Sequence, residues 1–487
     1  MRSPSGDDTT SSGSGGFIAG AGLGTTDRTD VRRPHTSSRG PRRAAAVNAN
    51  DRSITAFTMA AHGLVHTYEL SIPILMTVWL TEFSVTAAVL GAVVTVGYGL
   101  FGAGALPGGL LVDRLGSRRL IVGCLFGMGL AFFGLALAPS LAGIAVTLAL
   151  WGTAASVYHP AGLALISNGV DPDRRGVAFG YHGMAGNAGI AFGPLAAAVL
   201  LLVADWRVVA AALGVLSIAA GVVGLSADFD ETAGIEAADG ADGDGENGNG
   251  ADGDDATRDD ADSDATTIRS LGDFLAGSRR VFTAGFTLVF LVVLCNGLFY
   301  RGMLTFLPEL LREFLLAAMG DVRLGIFAPD SPLAEEFDVS RYVYVGLLTA
   351  GIAGQYTSGR LLDRIEPERG LATVLFLLTV IAVAFVPLAA AGVLPLLAVS
   401  AALGFALFGI QPFSQATVAA YSPPESRGLS FGFTYLGIFG IGALGATIVG
   451  VVLTYAAADA AVFLVLAAVA LAGCTLATVL LRRDLRP

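Results

Sequence analysis

Long apolar runs separated by short polar loops dominate this chain from about residue 54 to residue 481. Each run is about 20 to 30 residues long, which is enough for a helix to cross the hydrocarbon core of a bilayer. The first six predicted spans cover about 54–79, 86–111, 119–138, 141–168, 175–203 and 206–226. The second six cover about 282–311, 341–362, 371–391, 393–420, 428–455 and 459–481. The pattern predicts an all-α membrane protein with twelve transmembrane helices.

The polar segments outside these runs predict the domain organisation. Residues 227–280 carry 16 of the 40 acidic side chains, and the stretch from Asp228 to Thr266 holds 15 of these beside the single Arg258. Such a Gly-, Ala- and Asp-rich segment cannot bury a core and is expected to be a solvated tether. We therefore predict a disordered tail at 1–51, six-helix halves at 52–226 and 281–482, an acidic linker at 227–280 and a short tail at 483–487. A further loop, at about 315–340, has no counterpart in the first half.

Two passages of the first half recur in the second. Gly109-Leu110-Leu111-Val112-Asp113-Arg114 returns as Gly359-Arg360-Leu361-Leu362-Asp363-Arg364, a shift of 250 residues. Pro160, Arg175-Gly176 and Phe179-Gly180 return as Pro412, Arg427-Gly428 and Phe431-Gly432, a shift of 252 residues. Because each copy contains an even number of spans, both enter the membrane in the same orientation. A parallel repeat of this kind is how many transporters build a pathway between two halves.

Composition and charge narrow the class of protein. The chain is 54% hydrophobic and only 14% charged, which excludes a soluble domain, and its net charge of −11 gives no nucleic-acid footprint. Cys124, Cys295 and Cys474 each lie in an apolar run, so no disulfide or metal framework is expected. Arginines cluster in the loops after spans 2, 4, 8 and 10 and near the C-terminus. They predict a multi-pass protein of the plasma membrane whose termini and acidic linker are cytoplasmic.

The repeated loop carries a family resemblance. Gly109-x-Leu111-x-Asp113-Arg114-x-Gly116-x-Arg118-Arg119 lies between spans 2 and 3 and resembles the loop signature of the major facilitator superfamily. A degenerate copy follows span 8, where that family also has one. The resemblance implies two six-helix halves around a central cavity, and a gating role for Gly109, Asp113, Arg114, Gly116, Arg118, Gly359, Asp363 and Arg364. A simple topology anchor is the alternative role for these loops.

Spans 4 and 5 give a narrower resemblance. Gly189-x-x-x-Gly193-Pro194 in span 5 is similar to the antiporter signature of the superfamily, although Gly-mediated helix packing explains the same residues. Ser156-Val157-Tyr158-His159-Pro160, together with Gly186-Asn187-Ala188-Gly189, resembles the fosmidomycin-resistance-type branch. That branch implies proton-driven efflux of small compounds.

Span 1 contains ionisable residues at membrane depth. His62, His66 and Glu69 are spaced i, i+4 and i+7, so they share one face of a helix. Ionisable groups inside a bilayer usually face a water-lined path or a partner. We predict that Glu69 carries a proton and that His66 and His62 are its relay. A polar cluster that merely locks span 1 to a neighbour, or a metal site of the same three residues, are the alternatives.

Span 7 is the repeat partner of span 1 and contains Arg301, the best candidate for an intramembrane cation. It is expected to pair with Glu69 or to bind an anionic group of the substrate. Further polar residues predicted to line the cavity are Tyr158, His159, Tyr181, His182, Asn187, Asn296, Tyr300, Gln411, Gln415 and Tyr435.

These features predict a secondary active transporter that works by alternating access on a small-molecule substrate, not an enzyme. Proton-coupled efflux of small organic compounds is the first hypothesis, and proton-coupled uptake of a small organic anion is the second. A transporter-like sensor or scaffold that moves nothing is the third. The expected partners are protons, the lipid bilayer and the substrate, without nucleic acid, cofactor or metal, and the protein is expected to be a monomer.

Overall fold

A computed structural model describes residues 48–236, 271–320, 337–423, 427–456, 458–483 and 485–486, and every regular element in them is a helix. The first half contains α1 (Ala49–Glu82), α2 (Ala87–Ala103), α3 (Ala105–Leu115), α4 (Ser117–Ala136), α5 (Leu141–Ala155), α6 (Tyr158–Gly169), α7 (Arg175–Leu200) and α8 (Trp206–Ser226).

The second half begins with the short helix α9 (Leu271–Val281), which lies at the end of the predicted linker. It continues with α10 (Ala284–Met319), α11 (Val339–Leu361), α12 (Pro367–Ala390), α13 (Val393–Ala420), α14 (Arg427–Tyr435), α15 (Leu444–Tyr455) and α16 (Ala460–Arg482). A π-helical turn (Leu436–Gly440) and a 3₁₀ turn (Ile441–Ala443) join α14 to α15. The loop predicted at 315–340 begins too early in the prediction, because residues up to Met319 continue α10.

Ten of the described spans are long and apolar enough to cross a membrane. The other two predicted spans correspond to α1 and α11, which have 34 and 23 residues but include more polar side chains. The chain is thus an all-α membrane protein with twelve transmembrane helices in two six-helix halves. Most of the predicted tail at 1–51 and of the linker at 227–280 lies outside the described residues, and their predicted disorder stays a prediction.

Two spans that the hydropathy pattern predicts as continuous are broken. Span 2 divides into α2 and α3 at Gly104, and span 4 divides into α5 and α6 at Ser156 and Val157. The two breaks touch, because a Cβ on Gly104 would collide with the Ser156 hydroxyl oxygen. Hydropathy alone does not show these breaks, but each lies three to four residues before a proline, Pro107 or Pro160, whose missing N–H removes a hydrogen bond from the helix.

Helices pack in pairs within each half and along three seams between the halves. In the first half α1 packs on α7, α2 on α5 and α4 on α8, while in the second half α11 packs on α13 and α12 on α16. The halves meet where α2 contacts α15, α7 contacts α11 and α1 contacts α10. The α2–α15 seam is close and polar in places, for the Thr95 and Thr447 hydroxyl oxygens lie 2.8 Å apart.

The loops divide the bundle into two faces. On one face, which we call the outer face, Arg207 at the start of α8 pairs with Glu82 at 2.8 Å, and the Ala88 amide donates to Thr454 at 2.9 Å. On the opposite, inner face, Glu231 accepts hydrogen bonds from the backbone N–H groups of Ser117 and Arg118. The arginine-rich loops lie on this inner face, and their arginines predict that it is cytoplasmic.

Candidate functional site

An ion pair joins the two halves at the middle of the bundle. Arg301 of α10 donates from Nη2 to Glu69 Oε1 of α1 over 2.5 Å. Both side chains are buried, with exposed fractions of 1% for Arg301 and 0% for Glu69. Charges at such depth persist only when they are paired and hydrogen-bonded, so each of these residues depends on the other half of the protein.

Tyr98 of α2 supports this ion pair. Its hydroxyl donates to the backbone carbonyl oxygen of Glu69 at 3.0 Å, and the Arg301 guanidinium carbon lies 3.6 Å from the centre of its ring. The ring face therefore stabilises the cation while the hydroxyl fixes the backbone of its partner. The sequence prediction missed Tyr98, although a phenol within an otherwise apolar span was an available signal.

Two histidines extend the ion pair along α1. His66 Nδ1 lies 2.8 Å from Glu69 Oε2, and His66 Nε2 lies 3.1 Å from His62 Nε2. At the far end, His62 Nδ1 lies 2.7 Å from the backbone carbonyl oxygen of His182 in α7. The predicted one-face arrangement of His62, His66 and Glu69 is thus an unbroken chain of hydrogen bonds.

The proton count of this chain is informative. Its three hydrogen bonds need three protons, because a carbonyl oxygen and a carboxylate oxygen only accept. Two neutral imidazoles supply two protons, so all three contacts can be hydrogen bonds at once only if the chain carries a third proton. The heavy-atom geometry is compatible with the predicted relay, and proton transfer along it stays a prediction.

Aromatic side chains surround the histidine chain. The His182 ring stacks on His62 with ring centres 3.8 Å apart, and its Nε2 lies 3.2 Å from the Tyr158 hydroxyl. The His159 ring lies 5.2 Å from Tyr435 of the second half and also packs against Phe101 and Phe439. These contacts place Tyr158, His159, His182 and Tyr435 of the predicted cavity residues around one centre.

A metal site at the predicted residues is not favoured by this geometry. Glu69 directs its two carboxylate oxygens to His66 and Arg301, so it is already neutralised. Among the described residues, His62, His66 and His159 each place a ring nitrogen within 4.8 Å of the others and could hold an ion. Two nitrogens on one zinc ion lie about 3.3 Å apart. The Nε2 atoms of His62 and His66 are already 3.1 Å apart, so His159 is the ring that would have to move.

The other predicted cavity residues are distributed less uniformly. Tyr300 is buried beside Arg301, and Asn296 is buried one turn earlier with its side-chain oxygen unpartnered. Asn187 and Gln411 are half-buried. Tyr181 and Gln415 are exposed, and Tyr181 lines a surface cavity of about 380 Å³ between the inner ends of α1 and α7.

The glycines of the antiporter-like segment pack α7 against α1. A Cβ on Gly189 would collide with the carbonyl oxygen of Gly63, and one on Gly193 would lie 2.5 Å from the Thr67 Cα atom. Pro194 is buried in the same helix. These positions have a packing role that is sufficient to explain the motif, as the alternative interpretation proposed.

The residues of the repeated motif lie in or beside the inner loops of both halves. Gly116 adopts a positive φ of 79°, and it forms the tight turn that separates α3 from α4. Arg118 donates to the backbone carbonyl oxygens of Gly224 and Leu225, while Arg114 is exposed. The side chain of Asp113 lies outside the described residues, and Gly359, Asp363 and Arg364 of the second copy are exposed.

Close packing beside the repeated loop falls on Gly108 and not on Gly109. Gly109 has open space where a Cβ would lie, whereas a Cβ on Gly108 would come within 2.7 Å of Pro160 Cγ. The sequence does not reveal this difference, because hydropathy does not give the rotation of α3 about its axis.

Comparison with known proteins is consistent with this architecture. The sequence profile of the Major Facilitator Superfamily matches residues 46–320 and 314–487. The uncharacterized MFS-type transporter YqjV of Bacillus subtilis (strain 168) is 34% identical over 88 residues, which are 18% of this chain and 22% of YqjV. The chain thus matches about a fifth of the length of that relative.

Three solved structures show the same fold at low sequence identity. A bacterial homologue of the human lysosomal transporter Spinster, in an inward-facing conformation, has a TM-score of 0.65 at 13% identity and covers 90% of this chain and 98% of its own. The nucleoside transporter NupG has a TM-score of 0.62 at 13% identity and covers 90% and 100%. The peptide transporter POT has a TM-score of 0.62 at 14% identity and covers 88% and 94%. The chain belongs to the Major Facilitator Superfamily.

Proposed function

We propose that this protein is a proton-coupled secondary transporter that exports small organic compounds by alternating access. The superfamily consists of transporters rather than enzymes, which gives the general activity. Proton coupling rests on one observation, namely that Glu69 contacts both the relay of His66 and His62 and the cation Arg301 of the other half.

The coupling follows from charge. With Glu69 ionised, the pair with Arg301 holds α1 against α10 in a region without bulk water. When the exchangeable proton moves onto Glu69, the attraction to Arg301 falls and the two halves can separate. The position of the proton in the relay thus sets the strength of the Glu69–Arg301 ion pair between the halves.

Export, rather than import, is supported by the resemblance to the fosmidomycin-resistance-type branch, and this direction stays a prediction. Import of a small organic anion is the second candidate, since Arg301 could exchange Glu69 for an anionic group of the substrate. A sensor that moves no solute is the third.

Purified protein in liposomes distinguishes the three. A substrate is first identified as a compound that raises the melting temperature of the protein. Its movement is then followed under an imposed pH gradient. Movement against the proton flow supports export by antiport, and movement with the protons supports import. A stabilising compound that never crosses the membrane contradicts transport and favours the sensor.

A further inference from the structure

Arg341 is a buried cation on the outer side of the bundle, at the start of α11. Its exposed fraction is 8%, and its Nη2 donates to the Thr77 hydroxyl of α1 at 3.3 Å. Thr77 in turn donates to the backbone carbonyl oxygen of Ile74, so its remaining lone pair holds Arg341 in place. This contact joins the two halves about 12 Å, or eight residues of α1, further out than Glu69.

Some N–H groups of the Arg341 guanidinium donate no hydrogen bond. Neither Nε nor Nη1 has a hydrogen-bond partner, although both are buried. Oδ2 of Asp338 is 3.8 Å from Nε, which is within ion-pair distance but beyond hydrogen-bond distance. The other oxygen of Asp338 accepts from the amide and the hydroxyl of Ser340. Buried polar groups in folded proteins are nearly always satisfied, so two unpartnered N–H groups on a buried cation point to an absent acceptor.

Further unpartnered donors lead from Arg341 towards the centre. Tyr344 lies almost one turn further along α11, is fully buried, and has no partner for its hydroxyl. Arg301 itself keeps an unpartnered Nε. Arg341, Tyr344 and Arg301 thus all present buried N–H or O–H donors without partners. The carboxylates of Asp338 and Glu69 lie beside the two cations.

We propose that Arg341, positioned by Thr77, is an outer binding site for the oxyanion of a small organic acid that passes between the outer face and Arg301. A guanidinium group binds the planar or tetrahedral oxygens of carboxylates, sulfonates and phosphonates through several hydrogen bonds. The inference rests on the proposed transport function and names the substrate class as organic anions, which favours neither direction of transport.

The test measures the charge preference of this region without requiring transport. Cys124, Cys295 and Cys474 are first replaced by Ala. Thr81, an exposed residue one turn beyond Thr77 on the same face of α1, is then changed to Cys. The reaction rates of the Thr81→Cys protein with sulfonatoethyl methanethiosulfonate, an anion, and with its trimethylammonium analogue, a cation, are compared at low salt.

The ratio of the anionic to the cationic rate is expected to fall about fivefold in Arg341→Gln, the effect of one charge on two reagents of opposite sign in water-like surroundings. Arg341→Lys keeps the charge and is expected to keep the ratio. An unchanged ratio in Arg341→Gln overturns the proposal, and so does equal loss in Arg341→Lys.

A second measurement covers the case in which Arg341→Gln fails to fold. Sulfate, compared with chloride of equal ionic strength, is expected to raise the melting temperature more in the unmodified chain than in Thr77→Val, because its general stabilising effect acts on both proteins. An equal sulfate effect in the two proteins would overturn the outer site. Failure of either measurement leaves the liposome test of transport unaffected, whereas absence of solute flux with both effects intact contradicts only the transport function.

Discussion

Glu69 uses one carboxylate for two partners on different halves of the protein. Oε1 accepts from Arg301 of α10 at 2.5 Å, and Oε2 lies 2.8 Å from His66 Nδ1 of its own helix. Any proton that reaches Glu69 through His66 therefore changes the contact with Arg301 directly. No intervening loop or side chain is needed to carry the effect between them.

Removal of either member of the ion pair is expected to destabilise the protein strongly. Arg301→Gln should lower the free energy of unfolding by about 3–5 kcal/mol at a pH at which the relay carries no extra proton, because the ionised Glu69 is then left as an uncompensated buried charge. The double variant Glu69→Gln with Arg301→Gln should lose less than the sum of the single losses, with a coupling of about 1–3 kcal/mol. Unfolding of the four proteins in the same detergent measures this cycle. Additive losses would show that the pair contributes no net attraction.

Proton coupling is expected to fail in Glu69→Gln. Glutamine cannot release the exchangeable proton, so substrate movement driven by a pH gradient should fall to background while substrate exchange at equal pH persists. Both rates are measured in liposomes with the substrate found by thermal stabilisation. Glu309→Gln is the matched control, since Glu309 pairs with Arg312 near the outer end of α10 and should leave coupling intact. Gradient-driven movement that survives in Glu69→Gln would remove Glu69 from the relay.

The packing role of the α7 glycines predicts opposite effects at two neighbouring positions. Gly189→Ala places a Cβ against the Gly63 carbonyl oxygen and should cost about 1–3 kcal/mol, because two backbones must move apart. Gly183→Ala meets no atom within 4 Å and should be neutral or stabilise α7 by up to about 1 kcal/mol. The melting temperatures of the two variants show whether only Gly189→Ala lowers the stability. Equal effects would show that the α1–α7 contact is loose.

The seam between α2 and α15 predicts a lock on the conformational cycle. Because the hydroxyl oxygens of Thr95 and Thr447 are 2.8 Å apart, a cysteine pair at these positions should form a disulfide under mild oxidation. Cross-linking is expected to stop transport, and a reductant is expected to restore it. The single cysteine variants are the controls and should transport under both conditions. Full activity in the cross-linked protein would show that this seam stays closed throughout the cycle.

Hydropathy was sufficient to predict the spans, because each one must satisfy the bilayer by its own length and composition. Helical spacing was also sufficient within α1, where His62, His66 and Glu69 follow each other on one face. The pairing of Glu69 with Arg301 was one of two alternatives at that stage. Residue types alone could not choose between them, since the choice depends on how the two halves face each other.

The remaining errors concern rotation of helices about their own axes. Tyr181 and His182 are adjacent and equally polar, yet the first is exposed and the second stacks on His62. Apolar residues on all sides of a membrane helix leave no amphipathic stripe from which the buried face could be read. Tyr98, Tyr344 and Arg341 were missed for the same reason, as their partners lie on other helices.

The π-helical turn at Leu436–Gly440 is a point at which span 11 can bend. It lies beside Gly102 of α2, and it directly follows Tyr435, whose ring contacts His159. A π turn has looser backbone bonding than the α-helices on either side, so bending concentrates there. The inner third of span 11 can then swing before α15 leaves α2. Opening on the inner face would thus begin at a local hinge in one helix, whereas opening on the outer face requires the α2–α15 seam to separate.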